Sequence, residues 1–341
     1  MTISEIAALA GVSVATISRV LNHPEVVQQE TRERVLAVME QHNYSPSWCA
    51  RGLRLGKPGM IVVLVPDIEN AFTQMAVAGV ETVASAKLHP VVLCGTRGNS
   101  KREAEYLLRM TDRQADGVIL INSLLRGEQL RALDDRGIPF VHIGRRDDGA
   151  CRHFCYIDHA ESVFKLMQHL SGLGHRRVAF LLNPFATILE QQVREGANLA
   201  LLQAPAGASL DFYTAEDTAS GGFNLVKRLL SEHSLPDVLV AGSAEQTMGI
   251  VHAAQYHGLA IPDDLAVASL ADAPVCSVLN PPVTSIVQPV KRLGMMAARM
   301  LFDLLDGDDM AEGLPQEISL KSKLQIRRSC GNTKYIYESI E

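Results

Sequence analysis

Apolar positions in the first 44 residues recur at helical spacing in three short runs. Ile3, Ile6, Ala7 and Ala10 fall on one face, the period of a helix half-covered by a core. Ahead of them, Thr2-x-x-Glu5 is a capping box in which each side chain satisfies a backbone donor at the helix start. Gly11 breaks the run, because it alone adopts a positive φ freely, and Ser13 caps the next helix. Residues 14–21 predict that second helix with Ile17, Val20 and Leu21 inward. A third is predicted over 29–42 with Val35, Val38 and Met39 inward, ended by Asn43-Tyr44-Ser45-Pro46. Residues 46–56 differ in kind. They contain Gly52 and run into Gly56-Lys57-Pro58-Gly59, and a helix this short does not hold in water without a partner.

From Met60 the pattern becomes strands alternating with helices. Residues 61–65 are a continuous apolar strand, and strands are predicted at 91–94, 118–121, 140–143, 178–182, 238–241, 265–270 and 318–326. Helical spacing fills 72–86, 101–113, 127–136, 159–172, 189–202, 221–231, 247–258 and 291–306. Unbroken apolar strands between helices mean parallel sheets covered on both faces. A second series beginning near Tyr156 makes two α/β units, with a cleft between them where small ligands sit.

Composition narrows the class. The chain has 341 residues, 47% of them hydrophobic, which at roughly 150 residues per domain means two to three units. Its apolar runs are far shorter than the ~20 residues of a bilayer span. Met1-Thr2-Ile3-Ser4-Glu5 has neither the basic region nor the apolar core of a signal peptide, so a cytoplasmic protein is expected. Cysteines at 49, 94, 151, 155, 276 and 330 are sparse and unpatterned, as in a reducing compartment. Cys151-Arg-His-Phe-Cys155 lacks a second ligand pair, so neither a metal nor another cofactor is expected. The net charge of −6 is uneven: residues 1–58 carry six Lys/Arg against five Asp/Glu, and the remainder carries the deficit. That balance permits a small DNA-contacting head on an acidic body.

Residues 3–22 satisfy the packing of a helix-turn-helix: a small residue at the helix crossing (Ala7), a turn glycine four residues on (Gly11), and branched residues locking the second helix (Ile17, Val20). A plain helical hairpin satisfies the same pattern.

The wider sequence separates the two. Val12-Ser-Val-Ala-Thr-Ile-Ser-Arg-Val-Leu-Asn22, Glu30-Thr-Arg-Glu-Arg-Val35, Asn43-Tyr-Ser-Pro46 and Ala50-Arg-Gly-Leu-Arg54 resemble the head of the lac repressor/galactose repressor (LacI/GalR-type) family. Asp116-Gly117, Gly137-Ile-Pro139, Gly174-His-Arg-Arg177, Ile261-Pro-Asp-Asp264 and Pro281-Pro-Val-Thr-Ser-Ile286 extend the resemblance over about residues 2–329. It implies a helix-turn-helix head at 1–45, a hinge helix and linker at 46–58, and a two-lobed body resembling periplasmic binding proteins. Lobe 1 would be 59–157 with 288–317, lobe 2 would be 158–287 with 318–330, and 331–341 a tail. It implies a homodimeric repressor on a pseudo-palindromic DNA operator, with operator affinity set by a small effector of unknown identity in the cleft.

By that resemblance Val14, Ala15 and Arg19 face the major groove. Arg19 can fork onto guanine, whereas Val14 and Ala15 can only pack on thymine methyls or sugar. Thr16, Ser18 and Asn22 are phosphate-contact candidates. In the hinge, Leu53 would be the apolar wedge between base steps with Ala50 packed close, and Arg51 and Arg54 are nearby phosphate candidates.

In the body the chain departs from the family. Where relatives carry Arg, Asn-Asp and Gly-Phe/Tyr-Asp, this chain has Val193, Ser243-Ala244 and Ser269-Leu270-Ala271, and the first cleft turn reads Asn70-Ala-Phe-Thr73. Asn70, Phe72, Thr73, Arg145, Asp158, Val193, Arg194, Ala244 and Ala271 are the cleft candidates. Either the pocket has decayed, or it is retuned to a ligand that is less polar than a sugar or differently charged. An enzyme is not expected, because Gly-x-Ser-x-Gly, Gly-x-x-x-x-Gly-Lys and a post-strand Gly-x-Gly-x-x-Gly are all missing. Two alternatives are a regulator with no small effector, and a solute-binding protein, which would carry a secretion signal and no head.

Overall fold

The computed structural model describes residues 1–22, 24–42, 44, 59–110, 115–125, 127–144, 151–183, 187–307 and 315–333. It divides into two compact units, one comprising Met1–Met60 with Asp112–Asp116, the other the remainder.

The first unit contains α1 (Ile3–Leu9), α2 (Val14–Asn22) and α3 (Gln29–Gln41). The capping box forms: Glu5 N donates to Thr2 Oγ1 at 3.3 Å, and Thr2 N donates to Glu5 Oε2 at 2.7 Å. Gly11 has φ +63°, the left-handed conformation that glycine tolerates without steric cost. Ile6, Ala7, Ala10, Ile17, Val20, Val35 and Met39 form one buried cluster. Leu21 and Val38, expected inward, pack on it partly buried. Arg34 Nε donates to Ala10 O at 3.1 Å, so α3 satisfies a carbonyl left orphaned at the end of α1.

The second unit holds two six-stranded sheets. The first has the order β11-β5-β4-β3-β1-β2 and the second β12-β10-β9-β8-β6-β7. In the first, β1 is Ile61–Val65, β2 Val91–Gly95, β3 Gly117–Ile121, β4 Phe140–Ile143, β5 His153–Asp158 and β11 Gln316–Lys321. In the second, β6 is Arg177–Leu182, β7 Ser209–Thr214, β8 Val238–Ala241, β9 Ala266–Ser269, β10 Thr284–Val287 and β12 Lys323–Gln325. Neighbours run parallel, except that β12 is antiparallel to β10. The central strands β1, β3, β4, β8 and β9 are buried along their whole length, as a doubly covered parallel sheet requires.

Lobe 1 carries α4 (Ala71–Ala86), α5 (Ser100–Met110), α6 (Gly127–Asp134) and α12 (Val290–Leu305). Lobe 2 carries α7 (His159–Gly172), α8 (Thr187–Leu201), α9 (Ala219–Ser231), α10 (Ala244–Tyr256) and α11 (Pro274–Val278). Long helices cross where glycine leaves no side chain between the backbones. A Cβ on Gly79 would sit 2.1 Å from Lys291 O, and one on Gly294 2.0 Å from Ala76 O, which fixes the α4–α12 crossing. Gly222 and Gly249 do the same for α9 and α10, as Gly196 does against Ala160 of α7.

Three connections join the lobes: β5 to α7 at Asp158–His159, β10 to α12 after Val287, and β11 to β12 at Ser322. All three lie at the β5/β11 and β10/β12 edge of the sheets. The last corrects the expected boundary at 317/318. Ile318–Lys321 pair with Cys155–Asp158 in the first sheet, and Ile318 and Leu320 pack on the lobe 1 core. The single strand expected over 318–326 is therefore two strands in different sheets. β5, β7 and β10 are not among the predicted strands. β7 is an edge strand, largely open, so it lacks the unbroken apolar run that marks its neighbours.

Candidate nucleic-acid interface and ligand cleft

The interface candidates sit on α2. Ser13 Oγ accepts from Thr16 N at 3.1 Å and lies 3.0 Å from Thr16 Oγ1, so the turn serine fixes the helix start. With Ile17 and Val20 buried, the opposite face carries Ala15 and Arg19, both exposed and one turn apart. Val14 is half-buried and packs on the head core, so only part of it faces outward. Thr16 and Ser18 are half-buried. The Asn22 side chain, and Ala50, Arg51, Leu53 and Arg54 with the whole 46–58 segment, lie outside the described residues.

The place where this fold would take a ligand is at the carboxyl ends of the strands, where Asn70 of lobe 1 meets Asp217 of lobe 2. Asn70 caps α4, its Oδ1 accepting from Phe72 N at 3.0 Å and Thr73 N at 3.3 Å. Its Nδ2 donates to Asp217 Oδ2 of lobe 2 at 3.3 Å. Phe72 is half-buried against the lobe 1 core. Thr73 is buried and is not a wall residue. Asp158 caps α7 by accepting from Ala160 N at 3.1 Å. Beside it, burial pushes the His159 imidazole down to about 4, against the opposing pull of Asp158. Arg145 lies outside the described residues.

Three other candidates turn away from ligand duty. Val193 is 0% exposed within the lobe 2 core, so it lines no cleft: an apolar side chain at that position folds into the core. Arg194 is held by Glu190 at 2.7 Å and stacks 4.1 Å over the Phe212 ring, because a guanidinium lying along a sheet edge finds both partners locally. Ala244 is buried, which leaves Ala271, half-buried, at the surface.

An internal polar web occupies the same region. Thr247 Oγ1 donates to Ser243 O at 2.6 Å and lies 3.0 Å from Ser269 Oγ, and Ser269 Oγ donates to Ala271 O at 2.7 Å. Gln246 accepts from Gly242 N at 3.1 Å and donates to Ala215 O at 3.3 Å and Glu216 O at 3.2 Å. That amide holds the loop carrying Asp217. Arg327 binds Asp272 through both terminal guanidinium nitrogens at 2.8 and 3.2 Å and adds Ser285 Oγ at 2.6 Å, so Asp272 is a structural anchor. Sequence reasoning missed Gln246 and Asp217; their roles depend on loops that are distant in the chain.

A model of bacterial regulatory proteins of the lacI family matches residues 2–47, and one of periplasmic binding protein-like domains matches 167–330. The head thus matches the lacI family of bacterial regulatory proteins, and the body carries the periplasmic binding protein-like match beside it. The chain is a DNA-binding transcription regulator with an effector-binding type of body, and not an enzyme. It is 28% identical to catabolite control protein A of Priestia megaterium over 96% of this chain and 99% of that one. To the HTH-type transcriptional regulator RegA of Clostridium saccharobutylicum it is 28% identical over 91% and 94%. Among solved structures, the lac repressor dimer bound to operator and an anti-inducer aligns at TM-score 0.84 and 22% identity, covering 97% of this chain and 99% of that one. The regulator CelR with cellobiose aligns at 0.70 and 27%, covering 96% and 99%. Among the described residues no single helix is long and apolar enough to cross a membrane.

Proposed function

We propose that this chain is a cytoplasmic, homodimeric repressor that reads a pseudo-palindromic operator with α2 in the major groove. The observation that carries the reading is the division of α2: Ile17 and Val20 are buried in the head, and Ala15 and Arg19 share the free face. In this reading Arg19 reads a guanine edge, Val14 and Ala15 pack on thymine methyls or sugar, and Thr16, Ser18 and Asn22 hold phosphates. Leu53 wedges between base steps in the minor groove with Ala50 close by, while Arg51 and Arg54 hold the flanking backbone. A second copy is supported by the lobe 1 edge strand β2, which exposes Val92 and Leu93; an open apolar edge in a monomer invites pairing.

The cleft sets operator affinity through the angle between the lobes. With Arg194 committed to Glu190 and Phe212, and Val193 and Ala244 buried, neutral hexoses and pentoses lack the charged partners that fork onto paired hydroxyls. They are expected to fail at millimolar concentration. The internal web of Ser243, Thr247 and Ser269 equally supports a regulator with no small effector. Selection of operator sites from a randomised duplex library by the full chain tests the DNA reading, and a palindromic consensus is expected; retention of every sequence equally would overturn it. A thermal-shift screen against sugars, nucleosides, amino acids and phosphorylated metabolites separates the two cleft readings, since a ligand of the folded body raises its melting temperature.

A further inference from the structure

The three connections between the lobes all lie at one edge of the two sheets, by β5/β11 and β10/β12. Asn70 comes after β1 and Asp217 after β7, several strands away from that edge and on opposite lobes. Their 3.3 Å hydrogen bond therefore spans the open mouth of the cleft, where a hinge rotation moves the lobes farthest apart. Both partners are held in place. Asn70 is fixed as the cap of α4, and the loop before Asp217 is fixed by Gln246. Asp217 Oδ1 is buried and, among the described residues, has no partner, so that oxygen is withdrawn from water while the Asn70 amide meets the other. Three strand spacings of ~4.8 Å separate β5 from β1. An opening of about 10° would thus part the pair by about 2.5 Å, well beyond hydrogen-bond reach.

We propose that Asn70 and Asp217 form an intrachain latch that holds the cleft closed without a ligand, so that an effector works by displacing or replacing it. This rests on the reading of the body as the regulatory element. Losing the pair should lower the closed-to-open ratio on the order of tenfold, the scale of one hydrogen bond to a charged group.

Asn70→Asp keeps the α4 cap oxygen but sets a carboxylate against Asp217. The reciprocal double variant Asn70→Asp/Asp217→Asn restores a donor–acceptor pair with its direction reversed. The full chain and both variants are compared by hydrogen exchange across 66–73 and 214–219 and by small-angle scattering. The latch predicts roughly tenfold faster exchange and a larger radius of gyration in Asn70→Asp, with both returned toward the parent in the double variant. A single variant indistinguishable from the parent overturns the proposal. So does an opened single variant that the double does not rescue. Failure of the parent chain to select any operator would instead overturn the regulatory reading, and leaves the exchange result to judge the latch by itself.

Discussion

Gly249→Ala should unfold lobe 2 early although it replaces glycine inside a helix. Alanine ordinarily favours a helix interior over glycine by about 1 kcal/mol. At this position the added Cβ would lie 1.9 Å from the carbonyl oxygen of Ala219, 2.7 Å from its carbon and 2.9 Å from the nitrogen of Phe223. These are backbone atoms of α9, so no rotamer relieves the contact. A carbon–oxygen approach of about 3.3 Å requires the helices to part by roughly 1.4 Å, in a core packed as densely as a crystal. Overpacking of this kind costs about 1–3 kcal/mol or more, and here two helices must shift together, so the clash outweighs the propensity gain. A net loss of about 2 kcal/mol lowers the body's melting temperature by roughly 4–8 °C. Gly172→Ala is the matched control: it ends α7 with nothing within 4 Å and should be neutral or stabilising by up to about 1 kcal/mol. Calorimetry of the full chain compares the two. If Gly249→Ala melts at or above the parent, as Gly172→Ala should, the close-crossing argument fails. The α9–α10 crossing also matters to function, because α10 carries the Gln246 amide that holds the Asp217 loop.

Other outcomes are equally specific. Arg19→Ala should cost about 1–3 kcal/mol of operator affinity and relax preference at one symmetric guanine; footprinting on a randomised library with unchanged preference removes Arg19 from base readout. Leu53→Ala should keep nonspecific binding but lose operator bending in circular-permutation gel shifts, and undiminished bending would show that Leu53 is not the wedge. His159 is held at about 4 against an ordinary 6.5, so the unfolded chain takes up the proton first as pH falls. Its contribution to stability is whole above about pH 6.5 and declines toward pH 4 by up to about 3 kcal/mol. His159→Gln should flatten urea-unfolding stability over that window, with a residual slope from His153 and His169, which burial also lowers. Arg327→Met strands the Asp272 carboxylate and should cost about 3 kcal/mol or more, most of it recovered by adding Asp272→Leu; a single variant as stable as the parent would show that the pair is slack.

The head was legible because its structure is local. The Thr2–Glu5 box, the Gly11 turn and the spacing of Ile6, Ile17, Val20, Val35 and Met39 each specify geometry within a turn or two, and the same residues form the buried cluster. The continuous apolar runs at 61–65, 238–241 and 265–270 likewise declared covered parallel strands. Only the tertiary structure decided the cleft. That Val193 turns into the core, that Arg194 spends its charge on Glu190 and Phe212, and that Ser322 divides an apparently single strand between two sheets depend on neighbours far away in the chain. Asn70 and Asp217 stand 147 residues apart; the family resemblance marked Asn70 as a cleft candidate, but nothing in the sequence marked Asp217 or paired the two. Residue spacing fixes a helix face because the backbone sets its geometry, whereas a contact across a cleft is set by how two separately folded lobes close.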